Sequence, residues 1–147
     1  MNQKLKCILL IDDDEPTNFL SSMIIEEAGC TKHIQIEDSG EKAINYLTKS
    51  ETFPCFNKDY PCPDLIFIDI NMPAMNGWEF LDKYKEIKKE CNREIIMVML
   101  TTSQHPDDEL HAYNLPEISG FESKPLTREA LDNILEKHFT GYFSGNN

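Results

Sequence analysis

Four polar clusters in this chain each close an apolar run of β-forming residues. Ile8-Leu9-Leu10-Ile11 runs into Asp12-Asp13-Asp14, and Leu65-Ile66-Phe67-Ile68 runs into Asp69. The stretch from Ile95 to Leu100 precedes Thr101-Thr102, and Gly120-Phe121-Glu122-Ser123 precedes Lys124-Pro125. In a parallel α/β sheet all strands point the same way, so their ends converge on one edge, where such sheets bind ligands. That edge would gather carboxylates, a hydroxyl and an ammonium group, a set suited to holding a divalent cation and a phosphoryl group.

The charges set the chemistry. Two like unit charges roughly 4 Å apart repel by ~4 kcal/mol at an effective dielectric of about 20. Asp12, Asp13 and Asp69 at adjacent strand ends must therefore raise one another's pKa or recruit a cation. Oxygen-only ligands favour a hard ion such as Mg²⁺. Taken alone, Asp12 to Asp14 read equally well as the opening of a helix whose N-terminal dipole favours anions. That reading leaves Asp69, Thr101 and Lys124 at the same edge without an explanation. Asp69 is the candidate nucleophile, because a carboxylate can attack phosphorus and form an acyl phosphate. Lys124 would neutralise transferring oxygens and Thr101 would donate a hydrogen bond to one of them. A lone Thr is otherwise a strand residue and a lone Lys a solvated one; position gives both their weight.

The elements that must bring these residues together alternate regularly. Asp14 is placed to cap a helix with Pro16 at its first position, and Phe19, Leu20, Met23, Ile24 and Ala28 then recur at helical spacing until Gly29. A strand is expected over 33–37, then a helix capped by Ser39 with Ala43, Ile44 and Leu47 on its apolar face. Residues 50–63 carry Pro54, Pro61 and Pro63 and read as a loop. The strand ending at Asp69 leads through a turn to a helix with Trp78, Leu81, Tyr84 and Ile87. The strand 95–100, a polar helix from Pro106 to Tyr113, the strand 118–123 and a helix from Thr127 to Gly141 complete five βα units. The near-continuous apolar strands imply a sheet covered on both faces, and right-handed crossovers make it doubly wound.

Composition narrows the function classes. With 26 acidic against 14 basic residues the formal net charge is −12, which disfavours nucleic acid, whose phosphates are met by clustered Lys and Arg. No apolar run approaches the ~20 residues of a membrane helix. Five cysteines, Cys7, Cys30, Cys55, Cys62 and Cys91, are odd in number and scattered, which argues against a disulfide framework and for a reducing, cytoplasmic setting. Cys55 and Cys62 share a loop without metal-site spacing. The four histidines match no ligand pattern.

Taken in order, Ile8 to Asp13, then Asp69-Ile70-Asn71-Met72-Pro73 with Gly77, then Thr101-Thr102, then Lys124-Pro125 resemble the receiver domain of CheY-like response regulators from two-component signalling. The resemblance runs from about residue 5 to 139. It implies an α/β, flavodoxin-like (βα)₅ sheet of strand order 2-1-3-4-5, forming one receiver domain over 1–140 with a short tail, 141–147, and no effector domain. It implies that Asp69 is phosphorylated by a sensor histidine kinase or histidine phosphotransfer protein. It further implies that Asp13, Asp69 and the Asn71 carbonyl ligate Mg²⁺, with Asp12 acting through water. Thr101 and Lys124 match the switch hydroxyl and the phosphate-binding lysine. Phe121 matches the aromatic position that changes rotamer on activation, and it would serve equally well as core packing. Output would pass by protein–protein contact to a downstream target.

Two departures stand out. The 50–63 loop is longer than the family usually carries; Phe53, Phe56 and Tyr60 either pack it down or present a docking surface. The helix after the fourth strand is unusually polar, with Asp107, Asp108, Glu109 and His111. Two other function classes compete. A phosphatase of the haloacid-dehalogenase type also uses an aspartyl phosphate, Mg²⁺, Thr and Lys, but needs an acid two residues after the nucleophile, where this chain has Asn71. A binding module, either a flavodoxin or a degenerate receiver docking without phosphorylation, would dispense with the acceptor chemistry. The loop after the first strand is crowded with anions, which suits a flavin phosphate poorly.

Overall fold

Apolar runs without polar alternation must be covered on both faces, and the computed structural model, which describes residues 4–50, 59–88, 94–102 and 105–140, has this arrangement. Strands β1 (Ile8–Ile11), β2 (Ile34–Glu37), β3 (Leu65–Ile68), β4 (Ile96–Thr101) and β5 (Gly120–Ser123) alternate with five helices. These are α1 (Glu15–Ala28), α2 (Gly40–Ser50), α3 (Gly77–Lys88), α4 (Pro106–Tyr113) and α5 (Arg128–His138). All strand pairs are parallel, in the order β2-β1-β3-β4-β5, as the resemblance implies.

Side chains alternate along a strand, and the core divides accordingly. Leu9, Ile11, Ile66, Ile68, Met97 and Met99 pack with Ala43, Tyr46 and Leu47 of α2 and Phe80, Leu81 and Tyr84 of α3. Ile8, Leu10, Leu65, Phe67, Val98 and Leu100 face Ile25 of α1 and Leu131, Ile134 and Leu135 of α5. Burying each such aliphatic or aromatic side chain contributes about 1.5–3 kcal/mol, so the two clusters fix which face the apolar residues of β1, β3 and β4 take. Ile11 then lies beside Ile68 in the ladder, and Thr101 beside Ser123. The sheet register thereby sets the position of the polar residues that follow.

Helix ends follow their local chemistry. The Asp14 side chain accepts the Thr17 N–H at 3.0 Å, Gly29 closes α1 at φ 62°, and the Ser39 hydroxyl accepts the Lys42 N–H at 3.1 Å. Pro16 falls one residue later than expected, because the helix opens at Glu15. β4 runs one residue further toward the polar edge, through Thr101. β5 begins at Gly120 rather than 118, because Ile118 N–H closes a turn on Leu115. α5 starts beside Thr127, as expected, with the Thr127 hydroxyl accepting the Ala130 N–H at 3.1 Å as its cap, but gives way at Phe139; Gly141 lies outside the described residues. So do Phe53, Cys55, Phe56 and Cys91. Tyr60 packs down on Tyr46, ring centroids 5.9 Å apart, and Cys7, Cys30 and Cys62 are buried thiols, the last donating to the Ser50 carbonyl at 2.9 Å. Among the described residues no helix is long and apolar enough to cross a membrane.

The inward face of α1 differs from what its apolar spacing indicates. Asn18, Ser21 and Ile25 are the buried residues, whereas Phe19 is 62% exposed, Leu20 52% and Met23 42%. Ile24 and Ala28 pack against the core edge. The first turns of α1 lie over the polar ends of the strands, where an amide and a hydroxyl are better neighbours than aliphatic groups. Ile25→Ala should therefore cost about 2–4 kcal/mol through the cavity it leaves. Leu20→Ala should change stability by no more than about 0.5 kcal/mol. Urea denaturation of both variants measures the contrast.

Candidate functional site

The β-ladder continues past the strands and places the acidic residues. Asp69 N–H donates to the Ile11 carbonyl at 3.0 Å, Asp12 N–H to Glu37 at 3.2 Å, and Lys124 N–H to Thr101 at 2.9 Å. Asp12 and Asp69 are thus neighbours at the ends of β1 and β3, buried at 4% and 5% exposure, while Asp13 is exposed beside them. Each of the three offers a carboxylate oxygen, and these oxygens lie within 4.8 Å of one another.

Lys124 is the counter-charge. Its Nζ lies 2.5 Å from Asp12 Oδ2 and 3.3 Å from Asp69 Oδ2. Burial pushes the Asp12 carboxyl above the usual range, and the Lys124 hydrogen bond and charge offset only part of that rise. Burial alone would lower the Lys124 ammonium; the hydrogen bond and charge of Asp12, reinforced by Asp69, outweigh it and hold the group above the ordinary lysine value. Asp12 Oδ1 accepts the Asp14 N–H at 2.9 Å, so both its oxygens are engaged. Asp69 Oδ1 is buried and has no hydrogen-bond partner. A buried, unsatisfied carboxylate oxygen costs free energy unless something absent from the polypeptide meets it. With one ammonium against three carboxylates, a cation fits that place, and its all-oxygen surroundings suit a hard ion.

The loop between β3 and α3 is pinned close to Asp69. A Cβ at Gly77 would lie 2.7 Å from the Asp69 carbonyl oxygen and 3.0 Å from Ile70 Cα, and Gly77 N–H donates to Ile70 at 2.8 Å. Asn76 and Glu79 cap α3 reciprocally, at 3.0 and 2.9 Å, a spacing legible in the sequence as Asn-x-x-Glu. Ala74 adopts φ 67°. Asn71 is exposed on this loop, and Met72 is buried beneath it.

Of the other residues singled out in the sequence, Thr101 is fully buried at the end of β4. Phe121 is partly buried, packs against the α2–α3 cluster and lines a cleft of about 290 Å³ with His105, Glu109 and Ser123. It does not join the carboxylate group. Thr102 is exposed and Ser103 lies outside the described residues. Two features went unnoticed in the sequence. Asn18 donates from Nδ2 to the Asp12 carbonyl at 2.8 Å; a polar residue on the helical spacing of Ser21 and Ile25 was the available signal. His111 of α4 stacks on Trp78 of α3, ring centroids 4.1 Å apart, which no sequence spacing announces.

A doubly wound parallel sheet with an acidic cluster and a lysine at its carboxyl edge defines the class. The response regulator receiver domain model matches residues 8–136, and the chain belongs to that family. The structure is similar to that of a two-component response regulator from Cytophaga hutchinsonii, 36% identical with a TM-score of 0.83, covering 94% of this chain and 99% of the other. The probable methanogenesis regulatory protein FilR2 of Methanothrix harundinacea is 30% identical over 130 residues, 88% of this chain and 79% of its own. The Mn²⁺-bound form of response regulator Rcp1 of Synechocystis has a TM-score of 0.64 at 27% identity, covering 91% of this chain and 94% of its own.

Gly77→Ala should force the loop away from Asp69, since the contacted atoms are backbone and cannot rotate aside. We expect a loss of about 1–3 kcal/mol, together with amide-shift changes at Asp69 and Ile70. Ala74→Gly, which relieves a positive φ, should leave those shifts near wild type.

Proposed function

We propose that Asp69 accepts a phosphoryl group from a phosphohistidine on a sensor histidine kinase or phosphotransfer protein, and that the chain signals onward through protein–protein contacts. The observation that carries this reading is Asp69 Oδ1, buried and unpartnered, within a group of carboxylates that shares a single ammonium. Asp12, Asp13, Asp69 and the Asn71 carbonyl would hold Mg²⁺, for which the Mn²⁺ form of Rcp1 offers a parallel. When bound, Mg²⁺ would neutralise charge building on the transferring oxygens.

The polypeptide's own part follows from its groups. A carboxylate oxygen of Asp69 attacks phosphorus; the new P–O bond forms as the donor's P–N bond breaks, and the departing imidazole takes up a proton. Lys124, 3.3 Å from Asp69, is within reach of a phosphoryl oxygen with a small rotation of its stem. Thr101 would donate its hydroxyl to another. The acyl phosphate brings roughly −1.5 to −2 charges, by extension from other phosphorylated side chains. The new charge draws Lys124 and Thr101 toward itself and biases β4, β5 and α4, with Phe121, between two arrangements. The exposed Phe19, Leu20 and Met23 of α1, of which Phe19 shares a cleft with Asp13, offer an apolar face on which a donor would seat. Asn71 cannot supply the proton that a haloacid-dehalogenase phosphatase needs at that position, which favours a switch over a phosphatase of that type.

Asp69→Asn should abolish Mg²⁺-dependent labelling by acetyl phosphate or a histidine kinase; normal labelling of that variant would exclude Asp69 as the acceptor. Lys124→Ala should retain Mg²⁺ binding, while the amide-shift changes that phosphorylation produces in β5 and α4 disappear.

A further inference from the structure

We propose that Asn18 is a positioning residue for the acidic pair: its side-chain amide fixes the Asp12–Asp13 peptide and so aims the Asp13 carboxylate at the cation site. The inference rests on the reading of that site as a metal-assisted phosphoacceptor.

The end of β1 creates the need for it. The Ile11 carbonyl is taken by Asp69 N–H and the Asp12 N–H by Glu37, but the chain then leaves the sheet. The Asp12 carbonyl has no place in the ladder, and a buried carbonyl without a donor is costly. Asn18 supplies the donor at 2.8 Å from a side chain that is itself 5% exposed. Its own N–H is bound to the Asp14 carbonyl at 3.1 Å, so the helix holds the amide rigidly. The peptide joining Asp12 to Asp13 is thereby clamped on both sides, by Asn18 at its carbonyl and by Asp12 Oδ1 against the Asp14 N–H at 2.9 Å.

The side-chain contacts of this loop belong to Asp12 and Asp14, so the backbone sets where the exposed Asp13 leaves the chain and which of its rotamers reach the site. Rotation of the Asp12–Asp13 peptide would turn that carboxylate away from Asp69. Asn18 also lines both the small void beneath Asp12 and Asp69 and the cleft of about 480 Å³ that opens beside Asp13. It therefore bridges the buried and exposed halves of the site. Leu in its place has similar bulk and no donor. Groups that orient metal ligands from behind typically account for 10–100-fold in metal affinity when removed.

Mg²⁺ binding to the full chain, followed by calorimetry, tests the inference alongside the labelling rate with acetyl phosphate. Asn18→Leu should raise the half-saturating Mg²⁺ concentration about tenfold, with the labelling rate at saturating Mg²⁺ within about twofold of wild type. The effect should vanish in an Asp13→Ala background, since the two changes act through one carboxylate. A purely structural role would lower stability while leaving Mg²⁺ affinity unchanged, or would weaken binding equally in both backgrounds; either result overturns the proposal. Should the Leu variant fail to fold, Asn18→Ser, whose hydroxyl is too short to reach the carbonyl, carries the same comparison. Wild-type protein that binds no Mg²⁺ would sink both the site reading and this inference, whereas equal affinities of wild type and variant would sink this inference alone.

Discussion

Two carboxylates, Asp12 and Asp69, are buried side by side with one ammonium between them, and much of the architecture follows from this arrangement. Burial disfavours each charge, the two repel one another, and Lys124 relieves only part of the cost. The result is a site with excess negative charge and one carboxylate oxygen left without a partner. Apolar replacement of such buried charges is often neutral or stabilising, so the arrangement supports the proposed roles of a cation and a phosphoryl group here.

Holding that arrangement requires strands from across the sheet. β1 and β3 are neighbours, but Lys124 follows β5, at the far edge of the order β2-β1-β3-β4-β5. Its long stem passes the end of β4, where Thr101 is fully buried and where its carbonyl accepts the Lys124 N–H. The lysine thus spans the same stretch of sheet edge that a change at Asp69 would disturb. Beyond it, α4 is tied to α3 by the stack of His111 on Trp78 and, through the loop that follows it, by the Lys85–Glu117 ion pair at 3.6 Å. α3 in turn begins at Gly77, packed against the Asp69 carbonyl. Contacts therefore run continuously from the acidic group to α4.

Much of this was legible in the sequence, for a physical reason. Strands buried on both faces announce themselves as apolar runs, and the residues that end them must share an edge if the strands are parallel. Asp12, Asp69, Thr101 and Lys124 can therefore be grouped from the sequence alone. Capping residues such as Asp14 and Ser39 were also legible, because their side chains act within one turn. The orientation of α1 was not. Apolar spacing located the helix, but Phe19, Leu20 and Met23 face outward while Asn18 and Ser21 face in, because the helix begins over polar strand ends. The role of Asn18 depends on a carbonyl stranded where β1 leaves the ladder, and the stacking of His111 depends on how α3 and α4 pack. Both are tertiary facts that no local pattern encodes.

We propose that the Asp69 carboxylate, and no other, becomes esterified to phosphorus. Borohydride reduction of protein treated with Mg²⁺ and acetyl phosphate, followed by peptide mapping, tests it directly, since reduction of an aspartyl phosphate leaves homoserine in its place. Homoserine is expected at position 69, dependent on Mg²⁺, with Asp12 and Asp13 intact. Reduction at Asp12 or Asp13, or no reduced residue in protein that has bound Mg²⁺, would contradict it.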